Sequence, residues 1–162
     1  MLYSILSIKN FGGRIVMRKH MFVKKSLTIF FVLLLTLSLS SYCLAGMTSK
    51  DFIKEAKKTI KEISVVDAKA AIDSGKVLIV DVRTAKEFKK GHLPKAVNIP
   101  RGLLEFKVTK KIPNKNTAII CYCKAGDRSC LSTCTLVKMG YTNVKSMDGG
   151  WKAWVKAGYP IE

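Results

Sequence analysis

Acidic residues are scarce in this chain. Of 162 residues, 11 are Asp or Glu against 29 Lys or Arg, and residues 1–45 hold six of the basic side chains and none of the acidic ones. The remainder carries 23 basic against 11 acidic residues, a surface suited to small anions. Its lysines are scattered rather than interleaved with aromatics, so no nucleic-acid face is expected. Cys-x-x-Cys-His is absent, which excludes covalent haem, and so is Cys-x-x-Cys, which excludes thioredoxin-type exchange. Cys121-x-Cys123 has no second Cys/His cluster to complete a zinc or copper site, and no metal or other cofactor is expected. There is no internal repeat or low-complexity tract, and the length suits one ordinary domain.

Also missing is an apolar run long enough to span a bilayer. The segment from Ser26 to Leu39 is 14 residues, short of the roughly 20 a spanning helix needs. Arg18, Lys19, Lys24 and Lys25 precede it, and Cys43-Leu-Ala45 offers small residues behind it. Residues 17–45 are therefore expected to be a signal peptide cleaved after Ala45, leaving no stable membrane insertion. The alternative is an uncleaved anchor. Tyr42 is too bulky for a lipoprotein signal at Cys43. Residues 1–16 are expected to be an extension upstream of a true start at Met17 or Met21, since Phe11-Gly-Gly-Arg14 can be encoded by a purine-rich ribosome-binding run.

What is present from Gly46 onward is an alternation of short apolar segments and amphipathic ones. Residues 46–62 read as an N-terminal helical segment capped at Thr48 or Ser49, with Phe52, Ile53, Ala56 and Ile60 on one face. Strands are expected at 63–66, 77–80, 96–99, 117–120 and 144–147. Helices are expected from Asp67 to Ile72, from the capping box Thr84-Ala-Lys-Glu87, and around 102–107, 129–139 and 151–156. The fold class is therefore α/β, a parallel sheet flanked by helices, with any reactive site beyond the strands' carboxyl ends.

Cys121-Tyr-Cys-Lys-Ala-Gly-Asp-Arg-Ser129 is the stretch with the most chemistry. A strand feeding a tight loop that opens a helix makes an anion site, because loop N–H groups converge and the helix dipole adds positive potential. Cys123 stands at the strand exit with Lys124 and Arg128 near, the setting of a nucleophilic cysteine. Arg128 would grip an anionic substrate with its fork or, alternatively, brace the loop. Asp81 and Arg83 are read as bracing the loop ends and His92 as structural. Trp151 is read as a pocket wall or a core aromatic. Cys130 is expected buried with Thr133 and Val137, Cys134 exposed, and no structural disulfide is expected.

Taken in order, Asp81-Val-Arg83, Glu87-Phe88, Gly91-His-Leu-Pro94, Ala96-Val-Asn-Ile-Pro100, Cys123-Lys-Ala-Gly-Asp-Arg-Ser129, Gly140-Tyr141 and Gly149-Gly-Trp-Lys-Ala-Trp154 resemble the rhodanese (sulfurtransferase) family. The resemblance implies a single rhodanese domain over 63–162 with a five-stranded parallel sheet and helices on both faces. It implies an enzyme that carries sulfane sulfur as a persulfide on Cys123, and the signal segment places that enzyme, as an expectation, in a bacterial periplasm or, alternatively, at the inner membrane. The loop N–H groups of Lys124, Ala125, Gly126, Asp127, Arg128 and Ser129 would cradle the terminal sulfur. Its partners would be a small anionic donor such as thiosulfate and a thiophilic acceptor. Cysteine phosphatases resemble Cys-x5-Arg, whereas Cys123 and Arg128 are in a Cys-x4-Arg loop, small for a phosphoryl group. A non-catalytic persulfide carrier serving a partner protein is the alternative function.

Overall fold

The computed structural model describes residues 46–162; the expected extension at 1–16 and the signal segment at 17–45 lie outside them. The first helix is α1 (Ser49–Lys57), where Thr48 and Asp51 form a reciprocal capping box. Strand β1 (Lys61–Ile63) follows, then α2 (Val65–Asp73) and β2 (Leu78–Asp81). After β2 come α3 (Ala85–Phe88), β3 (Val97–Asn98), a 3-10 turn (Arg101–Leu103) and α4 (Leu104–Lys111). The chain closes with β4 (Ile119–Tyr122), α5 (Asp127–Lys138), β5 (Val144–Met147) and α6 (Gly150–Lys156).

The five strands form one sheet in the order β1-β5-β4-β2-β3, every pair parallel. Strands β2 and β4 are apolar because both their faces are covered. On one face Val80, Ile119, Cys121 and Cys123 pack with Leu104, Val108 and Leu136 from α4 and α5. On the other, Ile79, Ile120 and Tyr122 pack with Ala68 and Trp154 from α2 and α6. Cys121 and Cys123 thus share a face, as the two-residue period of a strand requires. Strands β2 and β4 are neighbours whose chains leave in opposite directions, to β3 and to β5. A crevice opens at such a switch point.

Boundaries shifted where local hydrogen bonding overrode the apolar pattern. Ser64 caps α2 and its hydroxyl meets Asp67, so β1 ends at Ile63 and Asp67 lies inside the helix. Thr117 is drawn into a turn by Asn114 O (2.8 Å), which moves β4 downstream to include Cys121 and Tyr122. Helix α5 begins at Asp127 because Gly126 adopts φ +114° and turns the chain into it. Two side chains face other than expected: Phe52 is exposed on α1, and Val137 is exposed on α5 while Cys130 and Thr133 are buried.

Candidate active site

Cys123 leaves β4 with its side chain buried under the loop that follows. The Gly126 N–H donates to its Sγ at 3.2 Å, and Ser129 Oγ lies 3.7 Å from the same sulfur. Ser129 is itself positioned: its hydroxyl donates to Gly126 O (2.8 Å) and accepts from Ser146 Oγ (3.0 Å) on β5. Asp127, Arg128 and Ser129 form the first turn of α5, whose N–H groups have no intrahelical acceptor and are directed toward the loop. Lys124, Ala125 and Asp127 are exposed, Gly126 and Arg128 half-buried, and Ser129 buried. Of the six loop residues named from the sequence, Gly126 and Ser129 place a polar atom on the Cys123 sulfur.

The loop is held from beneath by the last helix. Trp151 N–H donates to Cys123 O (2.8 Å) and Lys152 N–H to Lys124 O (3.1 Å). Gly150 makes this approach possible, since a Cβ there would stand 2.4 Å from Cys123 O. The Gly149-Gly150 pair is in the sequence, but its contact with a loop 25 residues away is not.

From the β2 side a buried network braces the strand ends. Asp81 accepts from Arg83 Nε (2.9 Å) and Nη2 (2.7 Å) and from Tyr122 Oη (2.6 Å), and Tyr122 Oη accepts from Leu93 N–H (3.1 Å). Burial, with Asp81 beside it, pushes the Tyr122 phenol well above its ordinary range. Asp81 and Arg83 brace as expected from the sequence; Tyr122 is the member that expectation missed. His92 is also structural, stacked on Phe88 at 3.7 Å with Nδ1 3.1 Å from Phe88 O.

Arg128 has a partner that spacing did not reveal. Its Nη1 and Nη2 donate to Glu87 Oε2 (2.9 Å) and Oε1 (2.8 Å), a two-pronged pair between α5 and α3. The Arg128 hydrogen bonds are the main reason Glu87 is held far below the carboxylate range. An arginine fork committed in this way braces the loop and adds positive potential near Cys123. In this arrangement the fork takes the bracing role, the alternative that the sequence left open beside a grip on the donor.

The other cysteines are set apart. All four described cysteines are free. Cys121 is fully buried, and burial pushes its thiol up to about 12. Burial likewise raises Cys130, which faces Ile53 O on α1 at 3.8 Å. Cys134 is half-buried, 3.6 Å from Thr59 Oγ1, rather than exposed. Among the described residues no cluster of His, Cys, Asp and Glu could hold a metal ion, and no helix is long and apolar enough to cross a membrane.

A parallel α/β sheet with a thiol seated beyond its central strand, against a loop N–H and a helix start, is the arrangement of a cysteine-based transferase or hydrolase. Residues 64–157 match the Rhodanese-like domain family, and the chain belongs to it. A sulfurtransferase of Allochromatium vinosum is 36% identical over 89 residues, 55% of this chain and 81% of that protein. The putative sulfur carrier protein YrkF of Bacillus subtilis is 35% identical over 101 residues, 62% of this chain but only 54% of its own length. Among solved structures, a Rhodopseudomonas palustris CGA009 protein of unknown function, described as a possible tyrosine phosphatase, aligns with a TM-score of 0.68. It is 32% identical, and the alignment covers 72% of this chain and 95% of that one. The family and its sulfurtransferase members support sulfur transfer from a donor to an acceptor.

Proposed function

We propose that this protein is a sulfurtransferase that moves sulfane sulfur from thiosulfate, or a related anionic donor, to a thiophilic acceptor through a persulfide on Cys123. The observation that carries the reading is the seat of the Cys123 sulfur, with the Gly126 N–H at 3.2 Å, Ser129 Oγ at 3.7 Å and the open first turn of α5 around it. The Cys123 thiolate attacks the outer sulfur of thiosulfate. A bond forms between the two sulfurs, the S–S bond of thiosulfate breaks, and its electron pair leaves with sulfite. Loop N–H groups take the negative charge of the new terminal sulfur, an electrostatic cradle that needs no metal. An acceptor such as cyanide then attacks that sulfur, and the electron pair returns to Cys123 as thiolate. Lys124 and Arg128 contribute positive potential to both steps.

Phosphoryl transfer fits less well. The loop is Cys-x4-Arg, and the arginine that a phosphate would need is held by Glu87 at 2.8 Å. A carrier that hands its persulfide to a partner protein is the second reading, favoured by the likeness to YrkF. Cys123→Ser should abolish both transfer from thiosulfate to cyanide and the mass gain of one sulfur atom after thiosulfate treatment. A persulfide that forms in the native protein without turnover on cyanide selects the carrier. A sulfur adduct on another cysteine, or transfer by Cys123→Ser, overturns both readings.

We further propose export, with residues 17–45 removed and the mature chain in the periplasm. A periplasmic extract should contain a soluble protein beginning near Gly46; full-length protein recovered only with membranes means an anchor instead.

A further inference from the structure

A cleft of about 190 Å³ opens beside the cysteine loop, at the switch point between β2 and β4, walled by Arg83, Glu87, Lys90, Gly91, Lys124 and Trp151. Its floor is the Arg83 guanidinium, whose side chain is 4% exposed. Nε and Nη2 of Arg83 are used by Asp81 and by Gly91 O (2.8 Å), but among the described residues nothing accepts from Nη1. Nη1 is not sealed in the core either. Among the described residues the one fully buried side-chain polar atom without a partner is Thr133 Oγ1. The guanidinium carbon lies over two aromatic rings, 4.4 Å from the Trp151 centroid and 5.4 Å from the Tyr122 centroid. A nearly buried, rigid donor with one free N–H pair faces the cleft.

The charges around it do not cancel. Asp81 offsets Arg83, and Arg128 offsets Glu87. Both Glu87 oxygens are occupied, by Arg128 and by Thr84 N–H (3.0 Å) and Oγ1 (2.8 Å), so no free carboxylate faces the space. Lys90 and Lys124 have no ion-pair partner among the described residues, which leaves two positive charges at the rim. Lys124 in the cleft wall is the residue after Cys123, and Trp151 donates its N–H to Cys123 O (2.8 Å), so the cleft borders the backbone of the nucleophile.

We propose that the cleft binds the carboxylate of a small thiol acceptor, with Arg83 Nη1 as the hydrogen-bond donor and Lys90 and Lys124 as flanking charges, while the acceptor's sulfur meets the Cys123 persulfide. The proposal rests on the sulfurtransferase reading for its chemistry and on the cleft alone for its binding. Each turnover leaves the acceptor as a persulfide and Cys123 as a thiolate, with no oxidant consumed.

The test separates those two parts. Arg83→Ala strands Asp81 and endangers the fold, so the variants are Lys90→Met and Lys90→Glu, at an exposed position. Binding is read by tryptophan fluorescence with 3-(methylthio)propionate, an S-blocked carboxylate that cannot react. Lys90→Met should weaken binding about threefold and Lys90→Glu on the order of tenfold, with added salt eroding the difference. In steady-state transfer from thiosulfate, the ratio of kcat/KM for 3-mercaptopropionate to that for neutral 2-mercaptoethanol should fall by the same factors. No binding, or binding indifferent to both variants, overturns the proposal even if sulfur transfer is confirmed. A fall in kcat/KM for thiosulfate with an unchanged thiol ratio assigns the cleft to the donor and overturns the acceptor assignment. Charge-dependent binding in a protein that transfers no sulfur keeps the anion site and refutes the sulfurtransferase reading.

Discussion

Replacing Gly150 by alanine tests whether the last helix sets the shape of the cysteine loop. The added Cβ would lie 2.4 Å from Cys123 O and 3.1 Å from both Cys123 C and Ala125 N. Ordinary contact begins at 3.4 Å, so the methyl is about 1 Å too deep, against backbone that no side-chain rotation can move aside. The residue also sits at φ +54°, where a Cβ is disfavoured whatever the space. Gly158 separates the two effects, because it has φ +71° and nothing within 4 Å of the point where a methyl would stand. Gly158→Ala should therefore cost about 1–2 kcal/mol, the left-handed penalty alone. Gly150→Ala should cost about 2–3 kcal/mol more, from overpacking and from the strained or lost Trp151 N–H to Cys123 O bond.

At about 4 °C per kcal/mol for a domain of this size, Gly150→Ala should melt roughly 10 °C below the Gly158 control. Thermal unfolding followed by circular dichroism reads this directly. If the folded variant relieves the overlap by moving the loop about 1 Å, sulfur transfer should fall on the order of 100-fold at temperatures where it is still folded. Equal melting temperatures for the two alanine variants, with transfer unimpaired at 150, would refute the close approach and the role given to it.

Three further outcomes follow from the buried chemistry. Tyr122→Phe removes the 2.6 Å bond to Asp81 and strands the Leu93 N–H, and should lower stability by about 1.5–3 kcal/mol in urea unfolding. Glu87 is held below its ordinary value of 4.5, chiefly by Arg128, so it stabilises the fold above that pH and loses the contribution as pH falls through its lowered value. The stability gap between the native protein and Glu87→Gln should accordingly be full at pH 6 and shrink below pH 4.5; a gap that widens on acidification would contradict the pair. Cys121, buried and pushed up to about 12, should resist iodoacetamide at pH 9 until the protein unfolds, as peptide mass mapping would show.

Much of this was legible from local patterns; element boundaries slipped where local hydrogen bonds intervened, and the contacts missed at the site have a common cause. The apolar runs Val77–Val80 and Thr117–Ile120 marked strands because both sheet faces are covered, and Thr84 with Glu87 marked a helix start. Cys123 stood out because strand, glycine-bearing loop and helix succeed one another within a few residues. The missed contacts at the site join residues far apart in the chain. Glu87 meets Arg128 across 41 positions, Tyr122 meets Asp81 across 41, and Ser146 meets Ser129 across 17.

The long-range pairs bear on the two roles that spacing left open for Arg128. In a short loop an arginine five positions after a nucleophile is free in principle to turn inward or outward. Here the direction is decided by the segment 81–87, which reaches the same crevice from β2. Asp81 fixes Tyr122 at the end of β4, immediately before Cys123, and Glu87 fixes Arg128 at the start of α5, immediately after the loop. The sulfur seat is thus clamped at both ends by carboxylates from one earlier stretch, and Gly150 closes it from below. With Arg128 committed to that clamp, the unpaired positive charge moves across the crevice to Lys90, Lys124 and the free edge of Arg83. An incoming anion is drawn to that side, so substitutions at 81–90 should reach sulfur transfer without any contact to the sulfur itself.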